Sequence, residues 1–460
     1  MEKILDAFVK EKRPVRVIQF GTGVFLRGFV DWMLEIVNEK TDWNGNVAMI
    51  KSTARGNTDA LKRQDGMYTV TLRGLVDGKP AVTSQGIAVV DRIISASEEY
   101  SAYAALARQC DLRFVVSNTT EAGIAEDEGD AFELCPPRSF PGKLTRFLYE
   151  RAEYFDYAPD KGLIVLPCEL IDDNGAALKR IVLRLAQCWQ LGERFVRWVQ
   201  ESCAFANTLV DRIVTGWPAD AEQLWEDYGY RDEAIVTAEP YALWVIACEK
   251  DVEKELPLQK AGLPVVYTDD LAAYRTRKVR ILNGAHTSFV PAAFLAGYEI
   301  VRDAVQDADF AGFIEKTLQE EIMPTIDLPL QQLVPFAQSV LERFANPYID
   351  HKLLAICLNS VSKWRTRILP VVLDSSQVPQ RLAFSLAALV TLYRMHPDVV
   401  QDDEEVLRWM KEKELAEILH SKMLWGMDLW EISGFAQAVQ QWAVRIQTDG
   451  VRACIRELGA

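Results

Sequence analysis

The chain has 460 residues, of which 49% are apolar and 25% charged, and its formal net charge is −15. That length holds two large domains or roughly three ordinary ones, each able to bury a core. The acidic balance excludes nucleic acid and anionic membrane surfaces as partners, because both are bound through clustered Lys and Arg.

A local cationic cluster can still receive a small anionic substrate. No stretch reaches ~18 uninterrupted apolar residues, so no membrane span is expected. The charged start at Met1–Ile4 does not read as a signal peptide. The eight cysteines are scattered and form no C-x-x-C pair. They read as reduced, mostly buried thiols of a cytoplasmic protein, with neither a disulfide framework nor a metal signature. A monomer or small homo-oligomer is expected.

In chain order, residues 15–20 (VRVIQF) read as a buried strand, followed by a glycine turn and a helix over about 25–39. Residues 47–51, 113–117 and 163–167 are further strand-like runs, with helical patterns between and after them, notably 176–189. This alternation predicts an α/β class with a Rossmann-type parallel sheet. From about Thr276 onward the apolar period is helical, over 303–321, 328–344, 380–394, 404–419 and 429–446. A dinucleotide-binding domain over 1–265 and a mainly α-helical substrate domain over 266–460 are therefore expected. The acidic run Glu126–Asp130 reads as a solvated loop.

Gly21-Thr22-Gly23 sits where a strand hands over to a helix. There a sharp turn and close backbone approach let N–H groups receive a pyrophosphate. The third glycine of the full fingerprint is replaced by Leu26. Phe20, Gly21, Gly23, Val24, Phe25 and Arg27 are the candidate cofactor contacts, with Arg27 placed to reach a phosphate. At the end of the second strand, Lys51-Ser52-Thr53-Ala54-Arg55 offers no ribose-binding carboxylate. Taken alone, that basic loop leans toward NADP, or it is simply surface.

Lys278, Asn283 and His286 form K-x4-N-x2-H. Reducing a ketone by hydride requires a proton for the developing alkoxide, and the reverse reaction requires a base. A lysine serves if its surroundings lower its pKa toward neutrality. Asn and His can hydrogen-bond the same oxygen. Asn283-Gly284 reads as a helix start with Asn283 as cap, His286 in its first turn, and Lys278 on an extended segment before it.

The pieces QFGTGVFLRGFVDWML (19–34), QDGMYTV (64–70), VVSNTTEAGI (115–124), PCELIDDNG (167–175), NTLVDRIVTG (207–216), KVRILNGAH (278–286) and NSVSKWRTRILP (359–370) run in order along nearly the whole chain. Together they resemble the polyol-specific long-chain dehydrogenases, the mannitol dehydrogenase family, and within it the hexuronate reductases. The resemblance implies a two-domain NAD-dependent oxidoreductase without a metal, its site in the cleft between the domains. It implies Lys278 as general acid/base and Asn283 and His286 at the reacting oxygen. Gly21 and Gly23 match the family's pyrophosphate turn. Ser117, Asn118 and Thr120 match a segment beside the nicotinamide. Asp211 and Lys363 match substrate-contacting positions.

Two departures separate this chain from the mannitol branch. Leu170 follows Cys168-Glu169 where that branch has an asparagine, and Ala355 replaces an arginine eight residues before Lys363. With Lys363, Arg365 and Arg367 as cations and His351 as a further contact, a sugar acid is the expected substrate. Within the hexuronates the resemblance implies the D-tagaturonate/D-altronate pair. A fructuronate/mannonate enzyme, a neutral-polyol enzyme and a non-catalytic nucleotide sensor are the alternatives.

Overall fold

The computed structural model describes residues 2–53, 56–119 and 123–459. In the first unit, runs rich in Val, Ile and Phe become six strands of one sheet: β1 Val15–Phe20, β2 Asn46–Lys51, β3 Val90–Ser95, β4 Phe114–Ser117, β5 Ile164–Pro167 and β6 Ala204–Phe205. Their spatial order is β3-β2-β1-β4-β5-β6, and every pairing is parallel. This is the 3-2-1-4-5-6 order of a dinucleotide-binding fold.

Side chains alternate between the two faces of such a sheet, and both faces are covered. Val17, Met49, Val116 and Leu166 enter one core with Phe29 and Met33. Ile18, Phe20, Val115 and Val165 enter the other with Leu144 and Phe147. That double burial explains why these strands read as unbroken apolar runs.

Two smaller sheets, of four and three strands, occur beside a two-stranded pairing of Glu2–Lys3 with Tyr230–Arg231. One orders Val214–Gly216, Val236–Ala238, Tyr68–Val76 and Lys79–Ile87; the other orders Asn207–Asp211, Leu243–Ala247 and Val265–Tyr267. Neither is anticipated by the sequence reading. Lys79–Ile87 is mostly exposed and polar, so it carries little apolar signal.

The first unit ends at Leu271, and the second starts at Ala272 and also takes in Gly74–Pro80. The second unit is built around the helix Gln380–Met395, in which every residue from Leu382 to Tyr393 is buried. A helix apolar all round has to be enclosed by others. Helices Gly284–Leu295 and Phe435–Asp449 pack against it.

Three predicted long helices are broken, each by a local signal stronger than the apolar period. Asp307 leaves helical geometry and caps the next helix, accepting from the N–H groups of Asp309 and Phe310 at 2.9 and 3.2 Å. Glu414 and Glu417 form a reciprocal capping box that restarts the chain after Lys413. Gly434, at φ 74°, separates the short turn Leu429–Glu431 from Phe435–Asp449. Four of the eight cysteines are buried, whereas Cys110, Cys135 and Cys188 are exposed, more than expected. Among the described residues, no helix is long and apolar enough to cross a membrane.

Gly175 opens the helix Asn174–Cys188 hard against β6's exit: a Cβ there would overlap the Ala206 carbonyl, which is backbone and has little room to yield. Gly175→Ala is expected to lower unfolding stability by about 1–3 kcal/mol. Urea titration of the purified variant checks this; an unchanged midpoint would show that the helix start shifts freely.

Candidate active site

The first candidate region is the turn after β1. Gly21 takes φ 131°, which L side chains rarely adopt, and a Cβ on it would meet the Asn118 carbonyl oxygen at 3.0 Å. Glycine is therefore required on two counts. Its N–H donates to the Ile50 carbonyl at 3.1 Å. Gly23 caps the helical stretch 24–40, and a Cβ on Gly23 would meet nothing within 4 Å. A tightly held first glycine followed by open space at a helix start is the cradle a pyrophosphate needs. At the end of β2, the buried Ser52 hydroxyl has no partner, at the position where an adenosine ribose meets this fold. These features fit a dinucleotide.

Several expected contacts lie elsewhere. Phe20 is wholly buried and packs on Tyr103 and Phe140 at 6.0 and 5.0 Å, so its side chain belongs to the core. Phe25 stacks on Phe29 at 5.1 Å, and Val24 lies against Gly216. Arg27 donates to the Ala234 carbonyl at 2.9 Å and lies over the Tyr68 ring, with burial lowering its pKa. That arrangement makes it a structural residue rather than the expected phosphate ligand.

Ser117 is fully buried and donates to Glu169 at 3.0 Å, so its hydroxyl is also committed to the fold. Asn118 donates to the Cys168 carbonyl at 2.9 Å and offers its own carbonyl to the Gly21 turn. Glu169 also accepts from the N–H and hydroxyl of Thr119, both at 2.9 Å, while burial raises its pKa. Thr120, Ala54 and Arg55 lie outside the described residues. Asp211 is buried at the end of its strand, opposite Leu243.

The second candidate region is in the second unit. Residues 271–295 form one continuous helix: α over Leu271–Arg277, π over Lys278–Asn283, and α again from Gly284 to Leu295. The expected helix start at Asn283 is corrected: Asn283 has helical φ −76° and ψ −34° and makes no side-chain cap. Lys278 is helical rather than extended, and His286 lies inside the helix. The Gly284 N–H reaches the Val279 carbonyl, an i→i+5 bond. A π turn takes up about one more residue than an α turn, which brings Asn283 nearer to the side of Lys278 than α geometry would. His286, three further on, follows Asn283 on the same side.

His286 is the centre of a cluster. Its ring stacks on Phe344 at 4.0 Å and 24°, and meets His351 edge-on at 5.4 Å. Its Nε2 is buried without a hydrogen-bond partner. Burial, then His351, Arg343, Arg367 and Lys363, hold its pKa well below the usual imidazole range. His286 is thus a neutral imidazole whose Nε2 is free to bond a ligand oxygen.

Lys363 and Arg367 lie one turn apart on the helix Ser360–Arg367. Lys363 donates to the Ile356 carbonyl at 2.8 Å, and Arg367 reaches the Thr287 hydroxyl at 3.4 Å. Burial lowers both pKa values, and for Lys363 the Arg367 charge adds to it. Lys363 likewise helps burial to lower His351. The structure therefore gathers His286, His351, Lys363 and Arg367. It adds Arg343 and Phe344, which no motif marked. Phe344 was visible only as the end of an apolar helical pattern. Leu170, by contrast, is 61% exposed.

Residues 15–260 match the mannitol dehydrogenase Rossmann domain, and residues 270–447 match the mannitol dehydrogenase C-terminal domain. The chain belongs to the mannitol dehydrogenase family. It is accordingly an oxidoreductase that acts on a CH–OH group with a nicotinamide dinucleotide. It is 44% identical to altronate oxidoreductase of Yersinia enterocolitica over 97% of this chain and 98% of that one. It is also 44% identical to altronate oxidoreductase of Shigella flexneri, with 97% of each chain covered. Two solved structures share the fold. A substrate-free D-sorbitol dehydrogenase has TM-score 0.82 at 22% identity, covering 97% of this chain and 96% of that one. Pseudomonas fluorescens mannitol 2-dehydrogenase has TM-score 0.73 at 21% identity, covering 98% and 96%.

One buried carboxyl near the glycine turn leaves a pH signature. Asp31 is fully buried, and burial raises its pKa to about 7 despite hydrogen bonds from Tyr68 and Gln19. A folded pKa above the unfolded value means the native state holds the proton longer. Stability therefore falls as pH rises from the unfolded value near 4 to about 7. Asp31→Asn removes this term. Unfolding stability is expected to lose its decline across that window and to rise at pH 8 by up to about 4 kcal/mol. Chemical denaturation from pH 4 to 8 measures it, and parallel pH profiles for both proteins would contradict the assignment.

Proposed function

We propose that this chain interconverts D-tagaturonate and D-altronate with NADH and NAD, as a cytoplasmic enzyme of sugar-acid metabolism. The observation that carries the substrate class is the cluster of His351, Lys363 and Arg367 around His286. Lys363 and Arg367 brought together, the Arg367 charge adding to burial in lowering the Lys363 pKa, favour an anion beside them, and a hexuronate carries one permanent carboxylate. The relatives named altronate oxidoreductase support the particular sugar acid. Their 44% identity over nearly the whole chain also supports NAD(H) over NADP(H), against the basic residues after β2.

In this reading Lys278 exchanges the proton of the reacting oxygen. It protonates that oxygen when the carbonyl is reduced and removes the proton when the alcohol is oxidised. Asn283 and neutral His286 hydrogen-bond the same oxygen and stabilise the charge that develops there. The stack on Phe344 fixes the imidazole plane. Lys363 and Arg367 receive the carboxylate. Backbone N–H groups of the Gly21–Gly23 turn hold the pyrophosphate. The nicotinamide, when bound, exchanges hydride at the reacting carbon.

Lys278→Ala is expected to lower kcat by about 10²–10⁴-fold while NADH binding survives. A variant that turns over at the wild-type rate removes Lys278 from the proton step. Lys363→Met and Arg367→Met are each expected to raise KM for tagaturonate roughly tenfold or more. The decisive measurement is NADH and NADPH oxidation across tagaturonate, fructuronate and fructose. Preference for fructuronate would move the substrate within the class. Preference for fructose, with no uronate activity, would refute the carboxylate reading.

A further inference from the structure

Gln19 is a glutamine in the middle of a buried parallel strand, with 0% exposure. An aliphatic residue would suit that place better. Its Nε2 donates to the Gly21 carbonyl at 3.2 Å and lies 3.4 Å from Asp31 Oδ2. Asp31, also at 0% exposure, accepts from the Tyr68 hydroxyl at 2.9 Å, and that hydroxyl lies 3.3 Å from the Arg27 carbonyl. Gln19 Oε1 and Asp31 Oδ1 are buried without partners. A buried polar group left unpaired destabilises a fold by about 1–3 kcal/mol. Fold stability alone therefore does not account for this pair.

The peptide bond supplies the link to function. A trans peptide is planar, with its C=O and N–H pointing in opposite directions. Drawing the Gly21 carbonyl inward to Gln19 turns the Thr22 N–H outward, away from the buried amide. The other described hydrogen bond of Gly21, its N–H to the Ile50 carbonyl, fixes the peptide before it. Only Gln19 fixes the one that follows, as far as the described hydrogen bonds show.

We propose that Gln19, braced by Asp31 and Tyr68, is a positioning residue that aims the Thr22 N–H at the cofactor's pyrophosphate. This rests on the reading of the Gly21–Gly23 turn as the dinucleotide cradle, and on no assignment of the sugar substrate.

Gln19→Met keeps the volume and removes the donor. Gln64→Met is the control, because Gln64 is a buried glutamine of the same unit that bonds Met67 and Asp232 at 2.8 Å and not the turn. NADH binding is followed by fluorescence titration without any sugar acid, so failure of the substrate assignment leaves the result readable. Gln19→Met is expected to weaken NADH binding about tenfold, with kcat at saturating NADH within about twofold of wild type. Gln64→Met is expected to lose stability without weakening NADH binding. Tyr68→Phe, which frees one side of Asp31, is expected to fall between, and it substitutes if Gln19→Met does not fold. Unchanged NADH affinity in the folded Gln19 variant, or equal weakening in the Gln64 control, overturns the proposal. A wild-type chain that binds no NADH overturns the cradle itself.

Discussion

Lys278 and Asn283 are five positions apart, and in an α-helix that spacing puts two side chains about 140° apart. The π segment over Lys278–Asn283 narrows the difference by adding a residue to the turn. Without it, one helix presents either the lysine or the amide to a given side, but not both. π turns are individually unfavourable and concentrate at functional sites. Here the proposed reading has a geometrical need for one, because it asks three polar groups of one segment to share a face. The flanking α segments keep His286 in step with Asn283, and burial of 284–295 against the central helix Gln380–Met395 holds that register.

The same face gathers positive charge in a strongly acidic chain. A net charge of −15 says little about a local site, because exposed charges beyond roughly 8–10 Å are screened at ordinary ionic strength. What governs His286 is its near surroundings. Phe344 covers one face of the ring, and His351, Lys363, Arg367 and Arg343 all oppose a proton on it. With burial as the largest cause, the imidazole is kept neutral, and a neutral ring can give or take a hydrogen bond without adding a further positive charge. Lys363 and Arg367 lie one turn apart, an arrangement whose charge repulsion an anionic ligand would relieve.

The strands of the central sheet were legible because both faces are buried, which leaves an unbroken apolar run for each. Gly21-Thr22-Gly23 was legible because the turn admits so few residue types. Lys278, Asn283 and His286 stood out as a set by their spacing, but their local structure was not legible. A π turn leaves no composition mark, and Asn-Gly imitates a helix start. The breaks at Asp307 and Glu414 were written in the sequence as capping residues, and the longer apolar period concealed them. Arg27 and Ser117 show the opposite failure. Both sit in the right stretch of chain for a cofactor, yet their side chains turn inward to Ala234 and Glu169. Spacing locates a residue on an element, and only packing decides which way it faces. Phe344 was unreadable for the same reason, since its partner lies 58 residues away in sequence and an aromatic at a helix end is ordinary.

With Arg27 turned inward, what the proposed pyrophosphate cradle offers an anion is backbone N–H groups. Oriented N–H groups at a helix start act as about half a positive charge, and they need no counterion when the site is empty. They do need orientation, because a dipole pointed 90° away attracts nothing. Full charges such as Lys363 and Arg367 have the converse properties. They attract from any direction, but they repel one another until a ligand arrives. A cofactor that every turnover must bind and release in one fixed pose suits the first device. A substrate distinguished from neutral polyols by a single carboxylate suits the second. In the proposed reading the buried polar groups follow that division: Gln19 and Asp31 stand behind the glycine turn, while Lys363 is held by the Ile356 carbonyl and Arg367 by the Thr287 hydroxyl.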